Sequence, residues 1–203
     1  MHTMERYFNM SENMELTDGI SEALIKTVMK HSKILKEHPD CYESRAEVMW
    51  ASSLSHNDLT GCGTDGGDWA CHQLEHEIGG MFDVAHGAGL AAVWGSWARY
   101  VYKARPERFA KFARNIFNIQ ETDDEKAAVA GIEAMENYYR SVGMPTSLCE
   151  LGIHATEEQI KEMADKCSFY GKRTVGVMKK IGAPEAAEIY RMANDKSIPL
   201  YSR

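Results

Sequence analysis

Apolar residues in this chain recur at helical spacing, and nowhere is the two-residue alternation of a half-buried strand sustained. No Asn-Gly hairpin turn occurs, and β-branched residues fall in short clusters only. Met1 to about Phe8 reads as the end of a helix, because helical composition starts without an N-cap. Thr17 or Asp18 is positioned to cap a second helix, in which Ile20, Leu24, Ile25, Val28, Met29 and Leu35 form the inward stripe and which stops near His38-Pro39. A third is expected from Tyr42 to His56, followed by a loop over residues 57–67, after which Asp68 caps a fourth. Residues 86–102 are apolar on most sides, as a central buried helix would be. Pro106 opens the next, with Phe109, Phe112, Ile116 and Phe117 on one face, and a long helix from Asp123 to Val142 is stopped by Gly143 and Pro145. Thr156-Glu157-Glu158-Gln159 is a capping box for a helix reaching about Tyr170, and two shorter helical pieces are expected over 174–181 and 184–194. No repeat or linker interrupts the pattern, so residues 1–203 are expected to form a single all-α domain.

With 203 residues, 44% of them hydrophobic, the chain can bury a substantial core. Its net charge of -7 leaves no basic stripe to neutralise phosphates, which argues against nucleic-acid binding. The five cysteines (Cys41, Cys62, Cys71, Cys149 and Cys167) are odd in number, widely spaced and lack a C-x-x-C pair. They read as reduced thiols rather than a disulfide framework or a zinc ribbon. No apolar run approaches the roughly 18 residues of a membrane span, and Met1 to Tyr7 lacks the apolar core of a signal peptide. A cytoplasmic location is expected.

Chemistry concentrates in one stretch. Of eight histidines, His72, His76 and His86 fall within fifteen residues, and imidazole is the commonest protein ligand for a transition metal. His72 and His76, four apart, share a helix face. The Gly79-Gly80 pair offers a bend that would bring His86 back toward them. Upstream, Gly61-Cys62-Gly63-Thr64-Asp65-Gly66 satisfies G-x-G-x-x-G. That fingerprint works only between a strand and a helix of a parallel sheet, so a tight turn is the better reading. His72-Gln73-Leu74-Glu75-His76 also fits H-x-x-E-H of inverted zinc peptidases, in which both histidines bind zinc and Glu75 is the base. His31, His38, His56 and His154 have no comparable context and read as surface or loop residues.

The longer pattern, Gly66-Gly67-Asp68-Trp69-Ala70-x-His72-x-x-x-His76-Glu77 followed by Met81 through Ala91, closely resembles the signature of the iron-dependent (group III) alcohol dehydrogenases near their butanol dehydrogenase branch. The resemblance runs on through Trp94-Gly95-Ser96-Trp97 and back through Ser44-Arg45-Ala46-Glu47 to Met1. It implies a multi-helix bundle like that family's C-terminal domain, with a dehydroquinate synthase-like fold. In the family one divalent metal, iron or zinc, is held by an Asp and a His on one helix and by two further histidines. The resemblance places three of these ligands at His2, His72 and His86, and makes His76 the additional histidine beside the metal that is implicated in cofactor contact or proton transfer. It also implies alcohol and aldehyde interconversion with NAD(P), and a possible homodimer. The matching Asp would precede Met1, as would the N-terminal nucleotide-binding α/β domain, so a truncated domain inactive by itself is expected. The peptidase and a metal-free helical interaction module stand as the alternatives.

Overall fold

The computed structural model describes residues 1–195. Among them run nine α-helices: α1 (His2–Tyr7), α2 (Glu15–Glu37), α3 (Tyr42–His56), α4 (Ala70–Phe82), α5 (His86–Val101), α6 (Pro106–Phe117), α7 (Asp124–Ser141), α8 (Glu157–Cys167) and α9 (Ala183–Asn194). The all-α expectation holds, and the bounds of α3 coincide with those read from the sequence. No helix of the described residues is long and apolar enough to cross a membrane. None of the five cysteines is in a disulfide, and Cys71 and Cys167 are buried. Burial pushes the Cys167 thiol up to about 11, which removes its thiolate character at neutral pH.

Contacts divide the chain into two compact units, Met1–Asp68 with Arg105–Val142, and Trp69–Ala104 with Gly143 onward. In the first, α2 packs against α3 and α6, and α6 pairs with α7. Pro106 starts α6 as expected, and its stripe of Phe109, Phe112 and Ile116 is buried. Phe8 stacks on Phe109 at 4.4 Å and contacts Phe112 at 5.2 Å, closing the short α1 onto this stripe. The start of α2 departs from the sequence reading: it begins at Glu15, so Thr17 and Asp18 lie inside the first turn. Asp18 is spent elsewhere, because Arg108 and Lys111 of α6 draw its carboxylate into the interior at 2.5–2.6 Å. A tertiary ion pair here outcompetes a local cap. Asp123 does cap α7, accepting the Lys126 N–H at 2.9 Å.

α6 and α7 approach closely at Gly131, where a Cβ would stand 2.5 Å from the Cβ and 3.0 Å from the Cα of Ala113. Gly131→Val is therefore expected to lower stability by about 1–3 kcal/mol, since the helices must separate to admit the new methyls. Urea unfolding followed by circular dichroism measures this; a loss below about 0.5 kcal/mol would show the contact to be slack.

In the second unit α5 is buried along most of its length, with Trp94 and Trp97 wholly enclosed. α4 packs on α5 and α8, and α9 on α5 and α8. The Tyr190 hydroxyl of α9 donates to the Leu74 carbonyl of α4 at 2.7 Å, while Arg173 donates to Gln73 at 2.7 Å. The capping box at Thr156 and Gln159 is present. α8 stops at Cys167 rather than near Tyr170, because Phe169 and Tyr170 take left-handed φ of 49° and 56°. The helical piece expected over 174–181 is instead a closed loop, in which Val175 and Ile181 exchange both backbone hydrogen bonds at 2.9 Å. Gly176, at φ 86°, turns the chain the wrong way for a helix.

Candidate metal centre

Three side chains of interest leave α4 on neighbouring faces. His72 is buried at 6% exposure, Glu75 at 1%, and His76 is exposed. The bend needed to return the chain does not occur at Gly79-Gly80, which stay inside the helix. It comes at Asp83, whose left-handed backbone (φ 52°, ψ 45°) closes α4 with its N–H on the Gly79 carbonyl. Two glycines in succession keep their helical hydrogen bonds well enough, at about 1 kcal/mol each relative to alanine. Two residues after Asp83, Ala85 is the N-cap of α5, and His86 is its first residue.

This reversal brings the imidazoles together. The ring centroids of His72 and His86 are 5.2 Å apart, those of His76 and His86 5.7 Å, and those of His72 and His76 6.2 Å. Trp69 closes one side of His72, edge-on at 5.2 Å. Burial, then the neighbouring His86 and His76, lower the His72 pKa to about 4. His72 is thus neutral at pH 7, the form in which an imidazole nitrogen can donate to a metal. One carboxylate completes the group: an oxygen of Glu75, a nitrogen of His76 and a nitrogen of His86 all lie within 4.8 Å of one another. Imidazole and carboxylate donors suit iron and zinc alike, so the residues present fit a divalent transition metal.

Glu75 is bonded through Oε2 to Nδ1 of His86. That contact is not what the H-x-x-E-H reading requires, in which Glu75 faces an open position and acts on water. A carboxylate that is 1% exposed and occupied by a histidine has little access to water. The pairing was missed in the sequence, although a signal was present in the small residues at Gly79 and Gly89, one turn along each helix from Glu75 and His86.

His2 belongs to the other unit, on α1, where its ring lies 4.1 Å from that of His56. α1 is held by its backbone: the Asp68 N–H is shared by the carbonyls of Glu5 (2.8 Å) and Phe8 (2.9 Å), and Arg108 donates to the Tyr7 carbonyl at 2.7 Å. His38, His56 and His154 are exposed as expected, whereas His31 is half-buried and bonded to Ser44 at 2.9 Å. Gly61 ends a short 3-10 turn (Leu59–Gly61) and residues 62–66 continue as a loop, with Gly63 and Gly66 at φ 77° and 102°, so the G-x-G-x-x-G match is a turn.

Residues 1–193 match the Fe-containing alcohol dehydrogenase family, C-terminal. The chain belongs to this family. It is 35% identical to NADH-dependent butanol dehydrogenase A of Clostridium acetobutylicum over 192 residues, covering 94% of this chain and 49% of that protein. It is 29% identical over 194 residues to NADPH-dependent aldehyde reductase YqhD of Escherichia coli, covering 95% and 49%. Among solved structures, NADH-dependent butanol dehydrogenase A of Thermotoga maritima superposes with a TM-score of 0.89 at 35% identity, over 96% of this chain and 50% of that one. The chain spans about half the length of the curated relatives it matches. The relatives are oxidoreductases, and none of these matches supports the peptidase reading.

Proposed function

We propose that this domain supplies the metal-binding half of an NAD(P)-dependent enzyme interconverting a small alcohol and its aldehyde. The observation that carries the proposal is the convergence of His72, His76 and His86 across α4 and the start of α5, in a chain that matches an alcohol dehydrogenase family over residues 1–193. On this reading His72 and His86 are ligands and His76 the additional histidine beside the metal. A divalent ion held there would supply Lewis acidity to a substrate oxygen, while the nicotinamide carries the hydride. The chain's own contribution is placement. His72 is kept neutral by burial and fenced by Trp69, which limits both protonation and water at that side. His76 and His86 are both exposed, and with His86 a ligand on this reading, His76 is the imidazole left to exchange a proton with solvent. The nicotinamide site belongs, on this reading, to the half of the relatives that this chain does not span.

The closeness of Glu75, His76 and His86 favours a second ligand set made of those three residues. Metal affinity of the purified chain, measured with zinc by competition against a chromophoric chelator, separates the two. His72→Ala and His86→Ala are each expected to weaken binding by well over tenfold, and His76→Ala to leave it within about threefold; each first-set ligand lost removes a donor that a compensating water replaces poorly. Loss with His76→Ala and retention with His72→Ala would overturn the first set in favour of the second.

A further inference from the structure

Glu75 has no part in the first ligand set, yet the structure invests in it. A carboxylate is expensive to remove from water unless something compensates, and among the described residues its hydrogen-bond partner is the Nδ1 of His86. The room is purpose-built. A Cβ at Gly89 would lie 2.6 Å from Glu75 Oε1 and 2.8 Å from its Cγ, and one at Gly79 3.1 Å from Oε1. Both glycines sit inside helices, where each costs roughly 1 kcal/mol relative to alanine. Gly79 is one turn beyond Glu75 on α4, and Gly89 is one turn beyond His86 on α5, so both helices are thinned at the same side chain.

An apolar residue at position 75 with alanines at 79 and 89 would fill this space more cheaply, if filling it were all that was needed. What the carboxylate adds is orientation. A carboxylate oxygen can only accept, so the His86 Nδ1 must carry a proton, and in the neutral ring the Nε2 then holds the lone pair. His86 is itself exposed, with a side chain at 49% of full accessibility against 2% for Glu75, so burial does not fix its ring. We infer that Glu75 is a positioning residue that locks His86 in the Nδ1–H tautomer and presents Nε2 as its donor atom. The use of that donor by a metal rests on the reading above; the locked tautomer does not.

The experiment uses the purified chain with 15N-labelled imidazoles. Two-bond 15N–1H correlation spectra of the metal-free protein report the tautomer, and cobalt(II), titrated as a spectroscopic probe, reports affinity. Wild type is expected to hold His86 as Nδ1–H. Glu75→Ala is expected to shift the ring toward Nε2–H and to weaken cobalt binding about 10–100-fold, the usual effect of removing the partner that orients a ligating histidine. Glu75→Gln keeps an acceptor oxygen in the same volume, so it is expected to restore most of the Nδ1–H state and part of the affinity; it also guards against Glu75→Ala failing to fold. Gly89→Ala, which crowds the carboxylate out, is expected to mimic Glu75→Ala. An Nε2–H tautomer in wild type would overturn the inference, as would a tautomer and affinity unmoved by Glu75→Ala. If wild type binds no cobalt but loses its Nδ1–H state in Glu75→Ala, the metal-site reading fails while the positioning pair stands.

Discussion

Asp18→Ala is expected to lower the unfolding free energy by roughly 3–5 kcal/mol, the cost of removing one partner from a buried ion pair. Arg108 binds Asp18 through two nitrogens at 2.5 and 2.6 Å, and Lys111 adds a third contact at 2.5 Å. Both Asp18 and Arg108 are 5% exposed or less. The same guanidinium donates to the Tyr7 carbonyl and lies 4.1 Å from the Tyr7 ring, whose hydroxyl donates to Glu22 at 2.9 Å. Truncating Asp18 thus strands a guanidinium that neither water nor another carboxylate reaches easily. Double replacement, Asp18→Leu with Arg108→Met, is expected to recover most of the loss, because the charge that made the single change costly is gone. Urea denaturation of the three variants measures the difference. A single-variant loss under about 1 kcal/mol would place the pair among weakly contributing surface bridges.

The same pair fixes a pH dependence. Burial raises the Asp18 pKa, but the hydrogen bonds and charges of Arg108 and Lys111 outweigh it, so the folded value lies below the ordinary 3.8. A group depressed on folding contributes stability that is complete above its unfolded pKa and is lost as pH falls through that value toward the folded one. The chain is therefore expected to lose stability below about pH 4, with Asp18→Asn showing a shallower loss over that window. Equal slopes for wild type and Asp18→Asn in acid titrations of stability would remove Asp18 from the account.

Gly67→Ala is the second large effect expected. Gly67 has φ 82°, and a Cβ there would stand 2.4 Å from the Glu5 carbonyl oxygen and 2.6 Å from the Arg6 Cα. These are backbone atoms of α1, which cannot swing aside as a side-chain end can. A left-handed non-glycine residue costs about 1–3 kcal/mol, and overpacking adds about 1–3 kcal/mol, giving roughly 2–6 kcal/mol together. Relief requires α1 to move, and with it the Asp68 N–H shared between Glu5 and Phe8. Hydrogen exchange of the α1 amides in Gly67→Ala is expected to speed up together with the global loss in stability. Unchanged exchange and a loss under about 0.5 kcal/mol would mean that the loop, and not α1, absorbs the methyl.

Much of this architecture is legible from local chemistry. Pro106 opens α6, Asp123 caps α7, and Thr156 with Gln159 caps α8, because each device acts through atoms within three residues of itself. The stripe of Phe109, Phe112 and Ile116 likewise needs only helical periodicity to be placed in the core. The grouping of His72, His76 and His86 was readable from spacing and family pattern together. Local signals failed where a distant partner competed. Asp18 has the composition of a cap but answers to Arg108, ninety residues away in sequence. Gly79-Gly80 look like a hinge but stay helical, and the reversal falls to Asp83. Residues 174–181 have helical composition but close on themselves through Val175 and Ile181.

The sequence by itself determined the all-α class, most helix limits, the family, and the three histidines worth considering, since periodicity, caps and motif spacing are encoded within a few turns of chain. Only the tertiary structure decided that Glu75 is buried against His86, that Gly79 and Gly89 make the space for it, and that Gly67 meets the backbone of α1. Those are contacts between segments, and a contact between segments depends on which faces meet when helices pack, a geometry that no residue carries in its own neighbourhood.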